Sequence, residues 1–115
     1  MKRDWNLIRQ ILLKLEEEPD ELGIFMPSHF PDYDEGVVGE HIKLVCESPF
    51  VNVSIRKDDP NNVDISITFE GYEFLENVCS DLVWEIICKT AHEKNIPLTT
   101  DSIRQLSIKA WAEFL

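Results

Sequence analysis

Two β-prone runs that flank a cluster of turn-forming residues constrain the fold of this 115-residue chain more than any other feature. The first run covers residues 50–55, and in the second, residues 63–69, apolar and polar residues alternate strictly. Such alternation is typical of a strand with one buried face and one exposed face. Residues 57–62, which separate the runs, are of types that favour turns. The pattern predicts an antiparallel hairpin that ends at Gly71 and whose solvent face carries Asp64, Ser66, Thr68 and Glu70.

Apolar residues recur at helical spacing on both sides of this hairpin. One helix is predicted at the start of the chain and another from about Asp34, where Gly36 and Gly39 indicate a break between two short helical turns. Residues 20–33 fit a short edge strand or an extended connector, and three further helices follow the hairpin. The predicted helix caps are Asp4, Ser80 or Asp81, and Thr99 or Thr100.

This order of elements predicts an α+β fold, and the length fits a single domain over residues 1–115. No apolar run approaches the ~18 residues of a membrane span. The N-terminal segment opens directly into an amphipathic helix and lacks the features of a secretory signal, so we expect a cytoplasmic protein.

The charge of the chain is strongly unbalanced, with 22 acids against 11 bases and a formal net charge of -11. Residues 19–40 and 61–85 each hold six acids and no Lys or Arg, which accounts for the imbalance. A general nucleic-acid binder needs Lys and Arg to neutralise phosphates, so this class is disfavoured. Either the acids form a solvated surface that keeps the protein soluble, or they form a negative face that attracts a basic partner.

The stretch around the hairpin resembles winged-helix domains, in which a helix leads directly into an antiparallel wing. Residues 40–53 (EHIKLVCESPFVNV) look like the second helix and first wing strand of such domains. Residues 68–75 (TFEGYEFL) look like the return from the second wing strand to a helix, with Gly71 at the sharp turn. The resemblance implies a winged-helix-like core with a wing of two or three strands, followed by extra C-terminal helices.

Four blocks in the same order are similar to an uncharacterised family of small phage, prophage and bacterial proteins, described as a domain of unknown function. The blocks are residues 1–15 (MKRDWNLIRQILLKL), 41–44 (HIKL), 68–75 (TFEGYEFL) and 81–84 (DLVW). This resemblance implies a winged-helix-like fold and a phage or mobile-element setting within a bacterial host cell, and it assigns no catalytic residue. Gly36 and Gly39 depart from the expected pattern, because good helix formers are expected there.

The residues that carry chemistry are scattered. An odd number of cysteines (Cys46, Cys79 and Cys88) without a secretory signal favours reduced, mostly buried thiols, and no Cys-x-x-Cys pair indicates a zinc site. His41 lies five residues before Cys46, a spacing that turns the two away from a shared helix face, so a surface imidazole is expected. We therefore predict no catalytic residue, no cofactor and no metal, and the protein is not expected to be an enzyme.

Two functions remain as hypotheses. In the first, the chain is a protein-interaction module with a regulatory or anti-defence role, and its acids imitate nucleic acid or bind another basic surface of a host or phage protein. In the alternative, it is a winged-helix DNA-binding transcriptional regulator, which the acids on the predicted recognition helix oppose. A homodimer through the C-terminal helices overlaps with the first of these hypotheses. The candidate partner-binding residues are Asp32, Asp34, Glu35, Glu40, His41, Lys43, Arg56, Lys57 and Trp84.

Trp84 enters this set because it lies off the apolar line that runs from Leu82 to Ile86. A half-exposed tryptophan at that position would be a good anchor for a partner. A core position is the other interpretation.

Overall fold

A computed structural model of the chain describes residues 2–17, 30–55, 57–58 and 63–114. Within these ranges the elements are α1 (Trp5–Glu17), α2 (Glu35–Glu47), β1 (Val51–Ile55), β2 (Val63–Ile67), α3 (Phe69–Val78), α4 (Asp81–Glu93) and α5 (Thr100–Phe114). The predicted α+β class with added C-terminal helices is confirmed. Most of the predicted segment 20–33 and most of the hairpin turn lie outside the described residues. Across the described part of the chain, no helix combines the length and the apolar character needed to cross a membrane.

Short-range capping bonds start several of the helices where the sequence places them. The side chains of Asp4, Ser80 and Thr99 each accept a hydrogen bond from the backbone N–H three residues further on, at 3.2, 3.3 and 3.0 Å respectively. Each bond satisfies one of the amide groups that the first turn of a helix leaves without an internal partner. The predicted start of α1 and one of the two alternatives for α4 and for α5 are thereby confirmed.

Helix α2 runs without interruption from Glu35 to Glu47, so the break predicted at Gly36 and Gly39 does not occur. Each glycine disfavours the helix by about 1 kcal/mol relative to alanine. Burial of Val38 and Val45 on the opposite face offsets this cost, since a fully buried valine contributes about 1.5–3 kcal/mol. Tertiary packing therefore overrides the weak local preference.

The chain forms two compact units, residues 1–72 and residues 73–115, and the single-domain assignment stays a prediction. In the first unit, β1 and β2 pair antiparallel, with Val51 opposite Ile67 and Val53 opposite Ile65. Helix α1 packs against α2 and β2, and α2 also contacts β1. The apolar stripe of α1 is buried in this core and consists of Trp5, Leu7, Ile8, Ile11, Leu12 and Leu15.

The junction between β2 and α3 differs from the prediction. The strand ends at Ile67, and Phe69 is the first residue of α3 and not a buried strand residue. Thr68 determines this boundary, because its backbone N–H donates to the Phe50 carbonyl oxygen at 2.9 Å and its hydroxyl donates to the Pro49 carbonyl oxygen at 2.6 Å. The same hydroxyl accepts from the Gly71 N–H at 3.1 Å, which makes Thr68 the N-cap of α3.

Gly71 therefore lies inside α3, and the role predicted for it at a strand-to-helix turn is wrong. Its backbone approaches the chain at Phe50 so closely that a Cβ atom would collide with the Phe50 carbonyl oxygen and lie 2.6 Å from Cγ2 of Ile67. A side chain larger than hydrogen does not fit there. The glycine is needed for this close approach and not for a left-handed backbone conformation.

In the second unit, α4 packs against α5. Helix α4 ends in a Schellman motif in which Asn95 adopts the left-handed conformation, at φ 56°. The N–H groups of Asn95 and Ile96 donate to the carbonyl oxygens of His92 and Ala91 at 3.3 and 2.9 Å. These bonds satisfy carbonyl groups that the last turn would otherwise leave without a partner. The buried apolar residues of the two helices are Val83, Trp84, Ile87, Ala91, Ile103, Leu106 and Ala110.

Candidate protein-interaction surface

The loop before α2 is held against α1 through Tyr33. The Tyr33 hydroxyl accepts a hydrogen bond of 2.7 Å from the side-chain amide of Asn6. The backbone N–H of Tyr33 donates to the carbonyl oxygen of the buried Phe30 and closes a turn. Burial raises the pKa of the Tyr33 hydroxyl, the bond from Asn6 opposes that rise, and the charges of Asp4 and Asp32 add to it. The hydrogen bond from Asn6 therefore anchors on α1 the loop that carries Asp32 and Asp34.

Asp34 begins α2 by capping it. Its Oδ2 atom accepts from the backbone N–H groups of Gly36 and Val37 at 3.1 and 3.3 Å. A carboxylate at this end of a helix also interacts favourably with the helix dipole. Asp34 remains solvent-exposed, although its carboxylate is already engaged in this local role.

The solvent face of α2 continues the negative charge of the loop. Glu35, Gly36, Gly39, Glu40 and Lys43 are exposed, whereas the opposite face is buried. Lys43 is the single Lys or Arg of this helix. The loop and the helix present five exposed carboxylates, of which the last, Glu47, ends α2. The other four we call the α2 acidic surface: Asp32, Asp34, Glu35 and Glu40.

His41 does not belong to that surface, and the prediction of a surface imidazole is wrong. Its side chain is fully buried, its Nε2 accepts from the Asp4 backbone N–H at 2.8 Å, and its Nδ1 lies 2.8 Å from the Val37 carbonyl oxygen. Because Nε2 accepts, Nδ1 carries the proton and donates to the carbonyl group. His41 thus joins the start of α1 to α2 and acts as a positioning residue for the acidic surface.

The predicted basic residues of the wing are only partly described. Lys57 is exposed, and the neighbouring Asp58 is exposed as well. Arg56 lies outside the described residues, so its role in partner binding stays a prediction.

Trp84 is buried at 6% exposure, so the expectation of a half-exposed anchor is wrong. Leu82, which the sequence pattern places on the apolar line, is instead 60% exposed. The helix packs through Val83, Trp84 and Ile87, a stripe displaced by one residue from the predicted one. Adjacent apolar residues cannot be ranked by periodicity alone, because either neighbouring stripe satisfies helical spacing.

Helix α3 presents an exposed face that the sequence pattern did not indicate. Phe69 is 79% exposed and Tyr72 is 47% exposed, while Phe74, Leu75 and Val78 are buried. Glu70, Glu73 and Glu76 are also exposed, and we call the five exposed residues Phe69, Glu70, Tyr72, Glu73 and Glu76 the α3 surface. The i, i+3 spacing of the two aromatic rings was visible in the sequence, but it identifies one face only if Phe69 is helical.

The thiols and imidazoles do not assemble a metal site in the described part of the chain. No group of three His, Cys, Asp or Glu side chains there could hold a metal ion, and tetrahedral zinc sites use at least three protein ligands. Cys88 and His92 both line a cavity of about 470 Å³ at the end of α4.

Cys46 and Cys88 are half-buried and Cys79 is exposed, so the expectation of mostly buried thiols is wrong. Burial, followed by the charge of Glu47, raises the pKa of the Cys46 thiol.

Comparisons with known proteins agree with the family resemblance seen in the sequence. Residues 2–97 match the family described as "Hypothetical protein (DUF2513)". An uncharacterised protein of Haemophilus influenzae is 33% identical over 110 residues, which cover 93% of this chain and 92% of that protein. No solved structure matches the chain. The extent of both sequence matches shows that the chain belongs to the DUF2513 family of hypothetical proteins.

Proposed function

We propose that this protein is a non-enzymatic interaction module whose α2 acidic surface binds a basic surface of another protein. The observation that carries the proposal is the set of four exposed carboxylates on one short loop and helix, beside a single Lys. Two tertiary contacts hold the loop and the helix that carry these carboxylates, namely the bond between Asn6 and Tyr33 and the bond from the Asp4 N–H to His41. A surface that is ordered before binding loses less conformational entropy when a partner docks.

The expected contribution of these carboxylates is mainly kinetic. Exposed ion pairs contribute about 0.2–1 kcal/mol each, which gives modest affinity. A concentrated negative face nevertheless steers a positive partner and raises the association rate, an effect that falls with ionic strength because the Debye length is about 8 Å at 0.15 M. Binding through the α2 acidic surface is therefore expected to be salt-sensitive.

The partner that suits this surface is a protein with a basic groove. The family resemblance implies a phage or prophage setting, in which a regulator or a defence enzyme that binds nucleic acid offers such a groove. Closely spaced carboxylates would then occupy the positions of phosphates. Direct DNA binding through the same helix is disfavoured, because Glu35, Glu40 and Glu47 all face solvent on α2 and would repel phosphates.

The test compares two triple variants of equal net charge in the full chain. Asp32→Asn/Glu35→Gln/Glu40→Gln removes charge from the α2 acidic surface and spares the Asp34 cap, whereas Glu85→Gln/Glu93→Gln/Glu113→Gln removes it from exposed positions on α4 and α5. Each immobilised protein is incubated with a lysate of the source bacterium, and retained proteins are identified by mass spectrometry.

We expect wild type and the α4/α5 variant to retain the same basic protein in a salt-dependent manner, and the α2 variant to lose it. Equal retention by both variants would contradict the proposal. A shift of duplex DNA by the purified wild-type protein at nanomolar concentration would instead support the DNA-binding alternative.

A further inference from the structure

The α3 surface combines two exposed aromatic rings with carboxylates on one helix. All five of its residues lie within the continuous helix α3, so their arrangement follows from helix geometry alone. Phe69 has Tyr72 at i+3 and Glu73 at i+4, and Tyr72 has Glu76 at i+4. Side chains at these spacings are neighbours, with Cβ atoms about 5–6 Å apart. Each ring therefore has a carboxylate beside it on the solvent side of the helix.

This arrangement does not serve the stability of the helix itself. Glu70, in the first turn, interacts favourably with the helix dipole, but Glu73 and Glu76 lie beyond that turn, and like charges three residues apart on a helix repel one another. Helix α3 contains no Lys or Arg, and within the described residues none of the three glutamates takes part in an ion pair. Exposure of Phe69 at 79% leaves most of an apolar ring in water. Both unfavourable features would be relieved by a partner that carries positive charge and covers the rings.

We propose that the α3 surface binds arginine side chains of an extended basic segment in the partner protein. A guanidinium group is planar, stacks on aromatic faces, and at the same time donates hydrogen bonds to a neighbouring carboxylate. Phe69 and Tyr72 supply the faces, and Glu73 and Glu76 supply the acceptors. Lysine matches the charge but not the planar stacking, so the surface favours arginine over lysine. This inference rests on the proposed function in one respect, namely that the partner is a basic protein.

The probes are fluorescently labelled deca-arginine and deca-lysine peptides, titrated into the full chain and followed by fluorescence polarisation. We expect deca-arginine to bind more tightly. Phe69→Ala/Tyr72→Ala is expected to weaken deca-arginine binding about 2–5-fold, as for loss of an exposed cation–π contact, and to reduce the preference over deca-lysine. The matched control is Leu82→Ala/Ile108→Ala, which truncates two apolar side chains that are 60% and 61% exposed and is expected to leave binding unchanged.

A second pair of variants tests the carboxylates at equal net charge. Glu73→Gln/Glu76→Gln is expected to weaken binding of both peptides at least about 2-fold, whereas Glu93→Gln/Glu113→Gln at other exposed positions is not. In wild-type protein, NMR amide shifts on addition of deca-arginine are expected to centre on residues 69–77. This measurement does not depend on the folding of any variant.

The outcomes separate this inference from the proposed function. Loss of binding in the α2 triple variant with full binding in both α3 variants would overturn the inference and leave the proposed function standing. Equal affinity for deca-arginine and deca-lysine would also overturn it. A third outcome is that wild-type protein sediments as a dimer, Phe69→Ala/Tyr72→Ala is monomeric, and neither protein binds the peptides. This outcome would show that a second copy of the chain covers the α3 surface, and it would also overturn the inference.

Discussion

Replacement of Gly71 by alanine introduces a methyl group where the chain has no space for it. The added Cβ would collide with the Phe50 carbonyl oxygen and would lie 2.6 Å from Cγ2 of Ile67 and 3.1 Å from the Phe50 carbonyl carbon. Two of these three atoms belong to the backbone, so rotation of a side chain cannot relieve the contact. Either α3 or the segment at Phe50 must move. Such a shift strains the hydrogen bonds that Thr68 makes to the Pro49 and Phe50 carbonyl oxygens.

The magnitude follows from these contacts. Overpacking of a close contact costs about 1–3 kcal/mol, and weakening of the two Thr68 hydrogen bonds costs about 1 kcal/mol each. Alanine regains about 1 kcal/mol as a better helix former than glycine. We therefore expect Gly71→Ala to lower the free energy of unfolding by about 2–4 kcal/mol.

Gly39→Ala is the matched control. This glycine is also inside a helix, but it is exposed and a Cβ there would meet nothing within 4 Å. We expect it to raise the free energy of unfolding by about 1 kcal/mol. Urea unfolding followed by far-UV circular dichroism measures both variants. With a slope of about 1.5 kcal/mol per M, the urea midpoint falls by about 1.3–2.7 M for Gly71→Ala and rises by about 0.7 M for Gly39→Ala. A Gly71→Ala midpoint equal to or above that of wild type would refute this account of the β2–α3 junction.

Three further outcomes are expected from local geometry. His41→Ala removes a fully buried ring and leaves the Asp4 amide without its acceptor. The free energy of unfolding is therefore expected to fall by about 2–4 kcal/mol in the same urea assay. The control His92→Ala, at an exposed position, is expected to lower it by less than about 0.5 kcal/mol. Asn95→Gly removes the steric cost of the left-handed conformation at the end of α4. We expect it to stabilise the fold by about 0.5 kcal/mol and to raise the thermal midpoint slightly, and a lower midpoint would contradict this. Burial raises the pKa of the Cys46 thiol, so the folded protein holds that proton to higher pH than the unfolded chain does. The free energy of unfolding is therefore expected to fall as the pH rises above the ordinary pKa of cysteine. Iodoacetamide at pH 8 is accordingly expected to label Cys46 more slowly in folded than in urea-unfolded protein, as measured by mass spectrometry of the modified peptide.

The elements that sequence reasoning located well are those that short-range interactions determine. Asp4, Ser80 and Thr99 cap their helices through bonds to amides three residues away, so a window of a few residues contains the whole interaction. The hairpin is predictable for the same reason, because both the alternation of apolar and polar residues and the composition of the turn are local features of the sequence. The observed register pairs β1 and β2 residue by residue, as a simple antiparallel hairpin requires.

The candidate surfaces were less predictable. Exposure of Asp32, Glu35 and Glu40 agrees with the expectation for charged residues on a polar face. The α3 surface was missed because the alternating pattern continues through Phe69, although the strand ends two residues earlier. The strand ends through contacts of Thr68 with Phe50 and with Pro49, which is 19 residues away in sequence, and the same Thr68 hydroxyl caps α3.

The sequence by itself determined the class of fold, most helix starts and the presence of two base-free acidic stretches, because each of these depends on residue type and near neighbours. For α3 and α4, the tertiary structure decided which side of the helix is buried. It buried His41 and Trp84, exposed Phe69 and Leu82, and required glycine at position 71. Burial depends on which distant surface packs against a residue, and that information is absent from any local pattern.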